Sequence, residues 1–78
     1  MKVHLWGELG FYGPGKRSTF EFPIDNEMPV AEALRRIGVP APDVAVLGVN
    51  GVAERVDDPA VIVTNRDRID CYPPTSGG

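Results

Sequence analysis

The sequence predicts an α+β domain of two layers, a mixed sheet of four to five strands with one helix packed on one face. Three observations predict it: apolar–polar alternation near both ends, one stretch of helical spacing between residues 29 and 38, and an Asn-Gly turn in the second half. The chain has 78 residues, 42% of them hydrophobic and 24% charged, which suffices for one small core. A domain of this size rarely holds a deep substrate cleft beside its core, so a binding or carrier module is expected before a self-sufficient enzyme.

Lys2 to Leu9 alternates, placing Val3, Leu5 and Leu9 on one face of a first strand and His4 and Trp6 on the other. Gly10 to Lys16 is dense in turn formers, and Arg17 to Ile24 resumes alternation with Phe20, Phe22 and Ile24 in phase, which makes a hairpin with a long loop. Pro29 then suits the first position of a helix in which Val30, Ala33, Leu34 and Ile37 share one face and Arg35 and Arg36 lie opposite. Gly38 suits the left-handed residue after its end. The start is weak, because Met28 has no side-chain acceptor for the free amides there.

Val44 to Val49 is apolar at both parities, as in a strand covered on both faces or offered to a partner on one. Asn50-Gly51 is the strongest short hairpin signal in the chain and leads into a return strand, Val52 to Arg55. Asp57-Asp58-Pro59 is turn-like, and Ala60 to Val63 reads either as a short strand or as an irregular apolar plug. Asn65-Arg66-Asp67 turns the chain into a final strand, Arg68 to Tyr72, with Ile69 and Cys71 on one face and Asp70 and Tyr72 on the other. With one helix joining strands two and three and a last strand returning after a hairpin, a β-grasp with first and last strands parallel in the centre is the economical arrangement. Residues 1–72 form that domain, and residues 73–78 an extended tail ending in Gly-Gly.

Charge and cysteine usage narrow the function. The net charge is −3, and the eight Lys and Arg are interleaved with acids, so no basic stripe tracks a nucleic-acid backbone. A single cysteine and a single histidine fall short of a multi-Cys/His metal site, of a disulfide framework and of the four ligands an iron–sulfur ferredoxin needs. No signal-peptide h-region or bilayer-length apolar run is present, so a cytoplasmic chain without membrane partners is expected.

The segments Val49-Asn50-Gly51 and Asn65-Arg66-Asp67-Arg68-Ile69, followed by Tyr72-Pro73-Pro74-Thr75-Ser76-Gly77-Gly78, resemble the ubiquitin-like sulfur carriers of the MoaD/ThiS family. The resemblance runs in order along essentially the whole chain, and its ending is closest to the molybdopterin synthase small subunit. Asn65-Arg66-Asp67 departs from the family's common Gly-Asp; asparagine tolerates a left-handed turn, so the fold is not threatened. The resemblance implies that an E1-like enzyme adenylates Gly78 with ATP bound on that enzyme, and that a sulfur donor converts the adenylate to a thiocarboxylate. It implies a second partner too, a sulfurtransferase or synthase large subunit, with molybdopterin synthesis favoured over thiamin, cysteine or tRNA thiolation. No cofactor is expected on this chain, and no catalytic residue.

The tail suits that chemistry. A carboxylate is ionised at neutral pH and a poor electrophile, so it needs activation. Gly77 and Gly78 lack the Cβ that would block a narrow channel, and six extended residues reach about 20 Å. Pro73 and Pro74 supply no amide donors and stiffen the base, leaving Ser76 as the polar residue before the glycines. By parity His4, Trp6 and Tyr72 share the open face of the sheet near the tail's root. With Leu47 from the apolar strand they are the candidate partner-binding residues.

Each has a plainer reading. Ser-Gly-Gly alone is linker composition, and the aromatic residues suit a half-buried sheet. Cys71 and His4 would be a thiol and base if adjacent, but parity separates them to opposite faces, which makes Cys71 a small core residue. Conjugation of Gly78 to target proteins is the alternative to sulfur transfer, and an interaction module with an inert tail is a third.

Overall fold

A computed structural model describes residues 1–74. The elements in order are strand β1 (Lys2–Leu5), two 3-10 turns (Gly7–Tyr12 and Pro14–Lys16), β2 (Thr19–Glu21), β3 (Met28–Pro29) and helix α1 (Val30–Ile37). A 3-10 turn (Ala41–Asp43), β4 (Val46–Val49), β5 (Val52–Glu54), β6 (Ile62–Val63) and β7 (Arg68–Tyr72) follow.

Five strands form one mixed sheet in the order β2-β1-β7-β4-β5. The first and last of these strands in sequence, β1 and β7, lie parallel in its middle, with Val3 beside Ile69 and Leu5 beside Cys71. The remaining neighbours are antiparallel, Leu47 opposing Cys71 across β4 and β7. Because side chains alternate, Val3, Leu5, Ile69, Cys71 and Leu47 all fall on one face, where they share a core with Val30, Ala33 and Leu34 of α1. This is a small α+β fold with a mixed five-stranded sheet and one helix.

Helix α1 keeps the predicted apolar stripe inward and exposes Arg35 and Arg36, both of which donate to Glu32. Those two guanidinium groups hold the Glu32 carboxyl at about 2, well under its ordinary value. Gly38 ends the helix at φ 101°, a conformation other residues resist, and Gly38 and Val39 both donate to the Leu34 carbonyl. At the other end the structure corrects the sequence reading. Pro29, not Met28, is the residue before the first turn, and it lies in β3. The Val30 amide is satisfied by the Val61 carbonyl, so tertiary structure replaces the missing side-chain cap.

Two other expectations change, and the alternative left open at residues 60–63 is decided in favour of a short strand. The first strand ends at Leu5 rather than Leu9; Gly7 takes φ +55° and Leu9 reaches the core from a 3-10 turn instead of a strand. Residues 62–63 form a two-residue strand paired with β3, which buries Val63. Asn65 does not use a left-handed backbone. Its side chain accepts from the Ile24 amide (2.8 Å) and donates back to the Ile24 carbonyl (2.5 Å), tying two loops together as a strand pair would.

The Asn50-Gly51 hairpin forms as expected, with φ of 52° and 84° at the two turn residues. The Asn50 amide also donates to Asp67 (2.8 Å), while its carbonyl oxygen accepts from the Arg68 amide (2.9 Å). One side chain thus pins the β4–β5 turn to the start of β7.

Candidate functional site

The face of the sheet opposite α1 has no covering element among the described residues, and three aromatic side chains stand on it. His4 and Trp6 stack with ring centres 3.9 Å apart and planes 21° from parallel. Tyr72 stacks on the far side of Trp6 at 5.3 Å and 14°. The strands dictate this order. The Trp6 amide donates to the Cys71 carbonyl, which carries the parallel β1–β7 register one residue past Leu5 and sets the indole beside Tyr72.

Asp70 holds the stack flat. Its Oδ1 accepts from Trp6 Nε1 at 3.0 Å and its Oδ2 from Arg68 Nε at 3.2 Å, while His4 Nδ1 stands 3.8 Å from Oδ1. Asp70 is the buried charged residue of the described fold, yet its carboxylate has two donors. A charge so placed costs little only when paired in this way. The sequence placed Asp70 on this face without assigning it a role. The signal was available, since a carboxylate between Arg68 and Tyr72 on one strand face is aimed at whatever the neighbouring strand presents.

Trp6 and Tyr72 keep 40% and 37% of their surface exposed. Val46, opposite Tyr72 in the β4–β7 register, is 50% exposed and extends the apolar strip. Leu47, expected on this surface, is corrected: it is 2% exposed, because its register partner is Cys71 and both side chains point under α1. Val46 stands where Leu47 was expected. Cys71 is fully buried beneath the sheet, on the face opposite His4, and its thiol is pushed up to about 12, first by burial and then by the Asp70 charge, which disfavours a thiolate.

Beyond β7 the chain passes Gly7. A Cβ built on Gly7 would meet the Pro73 ring at 3.2 Å, and its φ of +55° already favours glycine. Glycine here lets the loop after β1 close against the base of the tail. Pro73 is half-buried and Pro74 exposed. Ser76, Gly77 and Gly78 lie outside the described residues. Among the described residues no group of three His, Cys, Asp or Glu side chains could hold a metal, and no helix is long and apolar enough to cross a membrane. No protein-family model matches the chain, and no curated protein matches it.

Proposed function

We propose that this chain is a β-grasp sulfur carrier of the MoaD/ThiS kind, acting in the cytoplasm as a protein cosubstrate. The observation that carries the reading is the run Pro73-Pro74-Thr75-Ser76-Gly77-Gly78 directly after β7, the central strand, at the edge of an exposed aromatic face. Where Gly78 carries a free α-carboxylate, that group attacks the α-phosphorus of ATP on an E1-like partner and expels pyrophosphate. Hydrosulfide, supplied by a sulfur donor, then attacks the acyl carbon, the acyl–oxygen bond to AMP breaks, and a thiocarboxylate and a proton remain with no change of oxidation state. Trp6, Tyr72, His4 and Val46 form the docking face for that enzyme. The Pro-Pro-Thr-Ser-Gly-Gly ending favours a synthase large subunit of molybdopterin synthesis as the second partner.

Three features support this. Pro73 and Pro74 cannot extend the sheet ladder, so the chain must leave the sheet there. Gly7, at φ +55° and with the Pro73 ring 3.2 Å from where a Cβ would stand, seats the base of the tail against the loop after β1. Ordered ring stacking gives the docking face little side-chain entropy to lose. The test is intact mass after incubation with the activating enzyme, ATP and a sulfur source. A gain of about 16 Da, oxygen exchanged for sulfur, is expected on the full chain and not on a chain lacking Gly78. An unchanged mass overturns the proposal, and covalent ladders replace it with protein conjugation.

A further inference from the structure

The loop after β1 and the 3-10 turn before β4 border a half-open cavity of about 490 Å3, lined by Glu8, Leu9, Phe11, Tyr12, Asp43 and Pro74. That volume lies within the range of ligand pockets. Its wall combines two kinds of group. Phe11 and Tyr12 stand edge to face, 6.5 Å apart and 86° between planes, and so form a corner of two rings, with Phe11 68% exposed. Glu8 and Asp43 contribute carboxylates, and the lining contains no cationic side chain.

The acids are held ready for a donor. Tyr12 donates its hydroxyl to Asp43 Oδ2 at 2.6 Å, which fixes both side chains, while Asp43 Oδ1 and the Glu8 carboxylate have no side-chain donor among the described residues. The phenol of Tyr12 is pushed above its ordinary value, chiefly by the bond to Asp43, then by burial and by the charges of Asp43 and Glu8. Both carboxylates therefore act on the same space. Lys16 Nζ, outside the lining, already lies 4.8 Å over the Phe11 ring, so this ring accepts a cation within the chain itself.

A negative cavity with aromatic walls complements a cation that has a flat face. A guanidinium lies against a ring and directs its donors in two directions at once, which a compact ammonium cannot do. We propose that this cavity receives an arginine side chain projected by a basic partner protein. Pro74 forms part of the wall, so the seated arginine touches the residue from which the Thr75–Gly78 segment continues. The inference goes beyond the sulfur-carrier reading and uses none of its chemistry.

The test is an amide-resolved NMR titration of the full chain with N-acetyl-arginine amide, against N-acetyl-citrulline amide as the neutral isostere and free L-arginine as the amino-acid form. Saturable shifts are expected at Glu8, Phe11, Tyr12 and Asp43. Citrulline should bind at least about tenfold more weakly, and so should arginine to the Glu8→Gln/Asp43→Asn double variant. Tyr12→Phe keeps the ring and frees Asp43, so it should bind arginine at least as well as the parent chain. Equal responses to arginine and citrulline, shifts that never saturate, or shifts centred on other acids overturn the site. Tighter binding of free L-arginine than of the capped form overturns the protein partner. Neither result touches the mass measurement on Gly78.

Discussion

The two faces of the five-stranded sheet are built from the same strands and obey different rules. On β7, Ile69 and Cys71 point under α1 and are sealed, while Arg68, Asp70 and Tyr72 point away and are organised by hydrogen bonds and ring stacking. The covered face is held by apolar packing, which is strong and indifferent to direction. The open face is held by one carboxylate with two donors and by three stacked rings, which fix orientation more than they add stability. Folding stability should therefore depend chiefly on the covered face, with Asp70 the main stabilising group of the open face, and the proposed partner recognition on the rings of the open face.

The largest effect that tests this division is expected from Ile69→Ala. Truncating this fully buried side chain should lower unfolding free energy by about 2–5 kcal/mol in a denaturant titration. A loss under about 1 kcal/mol would break the comparison. Asp70→Ala comes next, at about 1–3 kcal/mol, because it strips the acceptor from Trp6 and Arg68. Trp6 is the single tryptophan, so near-ultraviolet circular dichroism should report loosening of the stack directly.

Trp6→Ala should reverse the pattern: stability changes by less than about 1 kcal/mol, whereas affinity for the proposed activating enzyme falls about tenfold or more. Equal losses in both would mean that the faces are not separable. The smallest effect belongs to Glu32→Gln on the outer side of α1. Its carboxyl is held at about 2 by Arg35 and Arg36, below its unfolded value, so its contribution is present above about 4.5 and lost as pH falls toward 2. The variant should show a shallower acid decline in thermal midpoint over that window and match the parent chain near pH 2.

Legibility followed the same division. Strand β7 was readable residue for residue, and α1 and the Asn50-Gly51 hairpin were readable except at their ends, because each carries a local signal: alternation, helical spacing or a turn pair. Parity alone brought His4, Trp6 and Tyr72 to one face. What was not readable depends on distant contacts. Leu9 enters the core through a 3-10 turn, the β3–β6 pair joins residues far apart in sequence, and Asn65 acts through its side chain on Ile24. Val44 to Val49 had no polar residue to mark its outer face, so Leu47 and Val46 were distinguishable only once the register with β7 was known. The proposed Gly78 chemistry rests on the tail's sequence alone.

The central parallel pair has a consequence for how the molecule comes into being. Lys2 meets its partner Arg68, 66 residues later, across the middle of the sheet. Closing a loop of that length costs about 4 kcal/mol of chain entropy before any contact returns it. During synthesis the opening strand must therefore wait, edge exposed, until nearly the whole domain has left the ribosome. The Trp6–Tyr72 stack spans this same closure, so it exists only on a chain that has finished folding. On the proposed function, a partner reading those rings would inspect the completeness of its client before touching the tail.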